Sequence, residues 1–487
     1  MNLIEKNNHW LYTQSINNPD SIAIISKTEK ISYKEYYRYA VQYCCSLTES
    51  GIKNKDRVGV LLNNSKEFLF IINALWFCGA VPVVLNTRLT ENELTQQIEN
   101  IKLSYLIAEE TRFSKNFVEV ISLSSLKSKS QINQKCIQDF DLKNDALIMF
   151  TSGSTGKSKA VVHTFENIYE SVFSLNSFIN LNDNDRWLAS LPFYHIGGFM
   201  ILCRSLISGS TLIIPSSIKH EEIKYFIEKF EPTHISFVST TLKKLINERF
   251  KANKNIKYVF LGGGPVEASL CKQAIKEGWN IIKVYGSTET CSMIAALSSK
   301  DFILKPDSAG KPLRNVNIEI VDSTGSFLKH NQKGEIAVKS KTLFKEYLFS
   351  IGTKREIDGF FLTGDYGWID EDGYLYVESR KDDIIITGGE NVSAREVEDA
   401  LNNLDEVEDA YVFSENDEIW GQSISAAVVI KYKIDIDGIK TKLGSLIANY
   451  KIPKNFYFVS EIPRTELGKV DKEKLNSIIK AIDGAIH

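Results

Sequence analysis

The sequence predicts an α/β protein in three parts: a large N-terminal domain of helix-covered, largely parallel sheets, with a small β-rich subdomain at its end, and then a small α+β C-terminal domain. Three observations predict it. Up to about Lys305, short β-rich runs alternate with amphipathic stretches of helical spacing, the pattern that builds parallel sheets between helices. From there to residue 379 the β-rich runs crowd together with turn residues between them, and beyond Arg380 strand-like and helix-like runs mix again. The expected boundaries are 1–379 for the N-terminal domain, with about 305–379 as its β-rich subdomain, and 380–487 for the C-terminal domain. At 487 residues the chain is too long for one ordinary core, and 43% apolar content is enough to fill two or three.

Each element follows in order. The opening "MNLIEKNNHW" puts charged and amide side chains where an export signal needs an apolar stretch, so a cytoplasmic protein is expected. "RVGVLLN" is the first strong strand. The run "FLFIINALWFCGAVPVVL", Phe68 to Leu85, approaches the length that spans a bilayer, but Asn73, Gly79 and Pro82 interrupt it. It reads as a buried helix followed by a core strand, so no membrane span is expected. "SYLIAEE", "ALIMF", "STLIIP", "HISFVS", "KYVFLGGG" and "NIIKVYG" continue the strands, with "NELTQQIENIK" and "EEIKYFIEKF" as covering helices. "VNIEIVD", "GEIAVKS" and "GYLYVES" form the β-rich subdomain, and "DKEKLNSIIKAI" the last helix.

Charge and cysteine usage exclude several function classes. A formal net charge of -3 offers no broad basic surface for nucleic acid or anionic membrane. The seven cysteines include no CxxC pair and no Cys/His spacing suited to zinc, so they read as reduced and mostly buried. No residue pattern specifies an oligomer, and a homodimer or a larger assembly is compatible with the chain.

"TSGSTGKSK", Thr151 to Lys159, carries the first chemistry. Gly156, Lys157 and Ser158 match the second half of a Walker A loop, but the first glycine would fall on Thr151. The loop also leads into the β-rich "KAVVHT" where a Walker loop opens a helix. What remains is a hairpin rich in hydroxyls, backbone N–H groups and lysines, suited to wrapping a polyphosphate and, taken alone, equally a solvent-exposed turn.

Downstream lie "LPFYHIGG", "LGGGP", "YGSTET", "FLTGD", "SRKDDIIITGGEN" and "PRTELGKVDK". In this order and at these separations, the strings resemble the adenylate-forming superfamily of acyl-CoA synthetases, luciferases and adenylation domains, over nearly the whole chain. The resemblance implies an enzyme that activates a carboxylic acid as acyl-AMP, releases pyrophosphate, and passes the acyl group to the thiol of CoA, with ATP and Mg²⁺ required. It assigns Thr151, Ser152, Gly153, Ser154, Thr155, Gly156 and Lys157 to the departing phosphates. Tyr285 and Gly286 then lie at adenine, as do Gly262, Gly263 and Gly264. Thr288 supplies a hydroxyl to the phosphates, and Glu289 a carboxylate to magnesium. Asp365 takes the ribose hydroxyls, and Arg380 is a further nucleotide-binding residue that with Asp382 marks the hinge. Lys469 bridges substrate carboxylate and α-phosphate as the catalytic cation, His195 sits at the mouth of the acyl pocket, and Gly198 and Phe199 face that pocket.

The same resemblance makes the C-terminal domain mobile, with its hinge at Asp382 and with Gly388 and Gly389 lining the thiol channel. Ser158, Ser379, Ser393 and Ala394 depart from the family's usual residues. The compact length, "VVLNTRLTENEL", "THISFVSTTL" and "STETCSM" resemble most the branch that takes an aromatic acid with a second carboxylate, for which Arg204 is a pocket cation. Other aryl or fatty acids, and loading of a separate carrier protein, are the alternatives.

Overall fold

The computed structural model describes residues 8–89, 91–109, 118–127, 137–151, 159–264, 266–348, 354–380, 384–387, 390–417, 421–447, 449–465 and 468–483. The chain divides into two compact units, Met1–Asn317 with Lys339–Phe361, and Ile318–Val338 with Leu362–His487.

The first unit contains two sheets. One has the strand order Lys311–Pro312, Ser292–Leu297, Ile281–Ser287, Tyr258–Leu261, His234–Phe237, Arg186–Leu188, Thr211–Ile213, Ile22–Ile25 and Lys30–Ser32. Its interior pairings are parallel and its two ends antiparallel. The other runs Glu346–Leu348, Ala160–Thr164, Asp145–Phe150, Val81–Val84, Arg57–Leu61, Tyr105–Ala108 and Glu119–Ser122. The strands read as unbroken apolar runs because helices cover the parallel parts on both faces.

Local sequence signals set the covering helices. Ser32 and Glu35 form a reciprocal capping box that starts the helix Tyr33–Glu49, and Thr164 with Asn167 does the same for Phe165–Ile179. The doubtful apolar run resolves as expected: a helix at Lys66–Phe77, started by the Ser65 side chain, then a strand at Val81–Val84. From Phe68 to Phe77 every residue of that helix is buried, which accounts for its all-round hydrophobicity. Among the described residues, no helix is long and apolar enough to cross a membrane, and the six cysteines are buried thiols.

In the second unit, Phe360–Ile369 pairs antiparallel with Leu375–Arg380. A further sheet orders Glu390–Ser393, Ile384–Thr387, Gly421–Ile430 and Val407–Asp417, with Asn455–Phe458 added parallel to Gly421–Ile430. Alternation along the long strand Gly421–Ile430 separates its faces. Ile424, Ala426 and Val428 pack with Val397, Leu401, Ile439 and Leu443 of two helices, whereas Ala427 and Val429 pack with Leu475 and Ile479 of the helix Lys472–Asp483.

Candidate functional site

Asp145–Phe150 and Ala160–Thr164 are antiparallel, and the hydroxyl-rich loop joins them. Its base is closed twice: Thr151 N–H donates to the Lys159 carbonyl at 2.9 Å, and Lys159 N–H donates to Thr151 Oγ1 at 3.3 Å. Ser152, Gly153, Ser154, Thr155, Gly156, Lys157 and Ser158 lie outside the described residues. The pleat decides what the returning strand presents. Ala160 and Val162 enter a core cluster, while Val161 and His163 take the opposite face.

That face meets the turn between Ile281–Ser287 and Ser292–Leu297. A β-carbon on Gly286 would lie 1.9 Å from the Ser292 carbonyl oxygen, so glycine is needed there for close approach of the backbones. Cys291 and Ser292 hold left-handed φ values of 53° and 83°, uncommon for side-chain-bearing residues and maintained by surrounding bonds. Thr290 Oγ1 accepts the Ser287 N–H at 2.8 Å and donates to the Ser292 carbonyl at 2.7 Å, and Ser171 Oγ donates to the Cys291 carbonyl at 2.7 Å.

Thr288 and Glu289 are held from the neighbouring strands. His163 Nε2 lies 2.9 Å from the Thr288 carbonyl oxygen, the Phe344 N–H donates to the Glu289 carbonyl at 2.8 Å, and the Tyr347 phenol donates to Glu289 Oε1 at 3.0 Å. His163 is fully buried, and desolvation pushes its pKa down to about 4, so the ring is neutral near pH 7. A carbonyl can only accept, which assigns the proton to Nε2. Nδ1 is buried with no partner among the described residues.

Glu289 is a single carboxylate, and no group of three or more His, Cys, Asp or Glu converges on a metal-binding point among the described residues. Such a donor set fits magnesium that brings phosphate and water oxygens as its remaining ligands.

Tyr285, half-buried, stands near the carboxyl end of its strand, and Gly262 follows the parallel neighbour Tyr258–Leu261. Carboxyl ends of parallel strands are where open α/β sheets bind ligands. A β-carbon on Gly262 would lie 2.7 Å from Val284 Cγ2, and Gly263 has a φ of 85°, so strand packing and a tight turn both require glycine there. Gly264 is exposed.

His195 precedes the helix Ile196–Ser208, half-buried and edge-on to Tyr194 at 4.7 Å between centroids. The segment before it is held by Asn64, whose amide donates to the Leu191 carbonyl and accepts the Phe193 N–H, each at 2.8 Å. Gly198 lies within the first turn of the helix, and Phe199 is fully buried, edge-on to Phe68 and Trp76.

Arg204 is 1% exposed, so it is a core arginine and not a helix-surface one. Its Nη2 donates to Ser292 Oγ at 3.0 Å, its guanidinium lies 5.3 Å from the Trp187 ring centroid, and Nε and Nη1 are buried without a partner among the described residues. Burial pushes its pKa down to about 10, which leaves it charged at neutral pH.

In the second unit, Asp365 is 7% exposed on Phe360–Ile369, in register with Arg380. Gly364, at φ 81°, donates its N–H to Glu335 Oε1 at 3.0 Å, and Thr363 Oγ1 donates to the Ile336 carbonyl at 2.9 Å. These bonds fix the backbone that presents Asp365.

Lys469 sits on a tight hairpin. Thr465 N–H donates to the Lys469 carbonyl at 2.6 Å, Arg464 bridges Val470, and Gly468 takes a φ of 75°. The Arg464 guanidinium spans this hairpin, donating from Nη1 to the Gly468 carbonyl at 3.2 Å and from Nη2 to both Asp409 oxygens at 2.7 and 2.8 Å. Asp382, Gly388 and Gly389 lie outside the described residues.

Sequence reading missed His163, Tyr347, Asn64, Glu335 and the Arg464–Asp409 pair, because their partners are remote in sequence. Arg204 did carry a signal: the helix "IGGFMILCRSLIS" is apolar nearly all round, and such a helix is buried with whatever it contains.

Comparison with known proteins gives a consistent result. Residues 11–348 match the model of the AMP-binding enzyme family, and residues 396–469 match the AMP-binding enzyme C-terminal domain. A 2-succinylbenzoate–CoA ligase of Geobacillus sp. (strain WCH70) is 35% identical over 97% of this chain and 97% of its own. An o-succinylbenzoate CoA synthetase (MenE) structure from Bacillus subtilis, in complex with the acyl-adenylate intermediate OSB-AMP, is similar at a TM-score of 0.90 and 30% identity, covering 96% of this chain and 98% of that one. The same B. subtilis protein in complex with ATP and magnesium ion is similar at a TM-score of 0.89 and 30% identity, covering 96% and 99%.

Proposed function

This chain belongs to the AMP-binding enzyme family, and we propose that it joins 2-succinylbenzoate to coenzyme A, converting ATP to AMP and pyrophosphate. One observation carries the proposal: similarity to a ligase of that acid extends over 97% of the chain.

A carboxylate is a poor acyl donor because its leaving group would be oxide. In the first half-reaction a substrate carboxylate oxygen attacks the α-phosphorus in line, the bond to the β-phosphate oxygen breaks, and pyrophosphate leaves. Lys469 bridges the carboxylate and the α-phosphate, offsetting charge where it builds up. The residues from Thr151 to Lys157 hold the leaving phosphates with the Thr288 hydroxyl. Glu289 holds magnesium, which when bound supplies further neutralisation of phosphate charge. Tyr285 packs against adenine beside Gly262, Gly263, Gly264 and Gly286, while Asp365 accepts both ribose hydroxyls near Arg380.

His195, Gly198, Phe199 and Arg204 form the acyl side, and the charged Arg204 with its uncommitted N–H groups suits the second carboxylate of the acid. In the second half-reaction the thiol adds to the acyl carbon, AMP leaves, and the thiol proton passes to solvent. The domain assigned to 380–487 turns about Asp382 between the two steps, so that Gly388 and Gly389 line the thiol's path. Buried thiols and a coenzyme thiol substrate both suit the cytoplasm.

Pyrophosphate release measured with 2-succinylbenzoate, benzoate and a long-chain fatty acid tests the acid. A kcat/KM for 2-succinylbenzoate at least tenfold above the others is expected, and equal values would refute the assignment. Thioester formation with CoA but not with a carrier protein is the matching result for the thiol.

A further inference from the structure

One short segment, Phe344 to Tyr347, holds Glu289 twice. The Phe344 N–H takes the backbone carbonyl of Glu289, and the Tyr347 phenol takes its carboxylate. The segment is itself anchored: Phe344 is 1% exposed and its ring lies 4.5 Å from that of Tyr347. Strand Glu346–Leu348 runs antiparallel to Ala160–Thr164 with Tyr347 opposite Val161, two residues from the loop's last lysine, Lys159. Lys159 Nζ lies over the Tyr347 ring, 4.8 Å from its centroid. One aromatic side chain therefore touches both the closing residue of the hydroxyl-rich loop and the acidic residue of the opposite turn.

We propose that Tyr347 is a positioning residue that aims the Glu289 carboxylate at the metal and seats Lys159 beside the phosphates, coupling the two halves of the phosphate site. The phenol does this by donating to one carboxylate oxygen, which fixes the carboxylate plane and leaves lone pairs for a cation. The ring face acts separately, holding an ammonium by its quadrupole. This inference rests on the assignment of Glu289 to magnesium.

The test uses the full chain with ATP present and Mn²⁺ as a paramagnetic probe for magnesium, its free concentration read by electron paramagnetic resonance. Tyr347→Phe keeps the ring and loses the hydroxyl, so Mn²⁺ binding should weaken roughly tenfold, within the range typical for groups that orient a metal ligand. The Michaelis constant for the acid and the melting temperature should hold. Tyr347→Leu should in addition weaken ATP binding measured without divalent metal, because Lys159 loses its seat.

Glu289→Gln separates this inference from the one beneath it. If it weakens Mn²⁺ binding and Tyr347→Phe does not, the positioning role is overturned while the metal assignment stands. If Glu289→Gln leaves Mn²⁺ binding unchanged, the metal assignment falls and the proposal falls with it. Where Glu289→Gln does weaken Mn²⁺ binding, adding Tyr347→Phe to it should change nothing further, and independent, additive losses would also overturn the positioning role.

Discussion

A β-carbon on Gly198 would lie 2.0 Å from the Pro192 carbonyl oxygen, and backbone cannot yield as a side chain can. Gly198→Ala is predicted to lower unfolding free energy by about 2–3 kcal/mol, the upper range for overpacking, seen as a lower urea midpoint. His163 makes a prediction about pH. Its folded pKa of about 4 lies below the ordinary 6.5, so between those values the unfolded chain binds the proton and the folded chain does not. Stability from neutral His163 is thus complete above pH 6.5 and declines towards pH 4, by roughly 3 kcal/mol at most. His234, which burial also pushes down to about 4, adds the same sign. His163→Gln keeps a donor for Thr288 and removes that titration, so its urea midpoint should fall less steeply over this interval. An unchanged slope would contradict the burial argument. Arg204→Met retains bulk and removes charge; it should raise the Michaelis constant for 2-succinylbenzoate far more than for benzoate, and equal effects would remove Arg204 from the acyl side.

The hairpin from Pro463 to Asp471 shows how an element can present one cation. Arg464 ties it to Asp409 with a two-oxygen fork, but both side chains are about one-third exposed, so solvent screens the pair and its worth stays within about 1 kcal/mol. Asp409→Asn is accordingly predicted to slow acyl-AMP formation about fivefold and to leave thioester formation from supplied acyl-AMP unchanged. A loss shared by both steps would place Arg464 in general stability instead. Elements of this kind were only partly legible in the sequence. The helix–strand pair inside Phe68–Leu85 could be read because Gly79 and Pro82 interrupt the apolar run where the chain turns. The strands at Asp145–Phe150 and Ala160–Thr164 could be read from their β-branched and apolar runs, and with them the hairpin that carries the loop. What holds the site could not. His163 meets Thr288 across 125 residues and Tyr347 meets Glu289 across 58, and no local periodicity encodes a bond between elements so far apart. The helix of His195 gave half an answer: the resemblance placed Gly198 at the acyl pocket, and only the passage of Pro192 against it explains why a glycine stands there.

At the scale of the molecule, the candidate residues fall in two compact units. The hydroxyl-rich loop base, Tyr285, Thr288, Glu289 and His195 belong to the first, and Asp365 and Lys469 to the second. In the proposed reaction one acyl group passes through two successive steps, and Lys469 is assigned to the first of them alone. That division makes a clean prediction, because a group needed only for adenylation should leave the thiol step alone. Lys469→Ala, assayed separately for pyrophosphate release and for thioester formation from supplied 2-succinylbenzoyl-AMP, tests it most directly. Pyrophosphate release should fall by about two to three orders of magnitude, the usual loss when one charge-stabilising group is removed, while the thiol step proceeds within about threefold of the unmodified protein. Pyrophosphate release at the unmodified rate would contradict the assignment of Lys469 and the two-step account built on it.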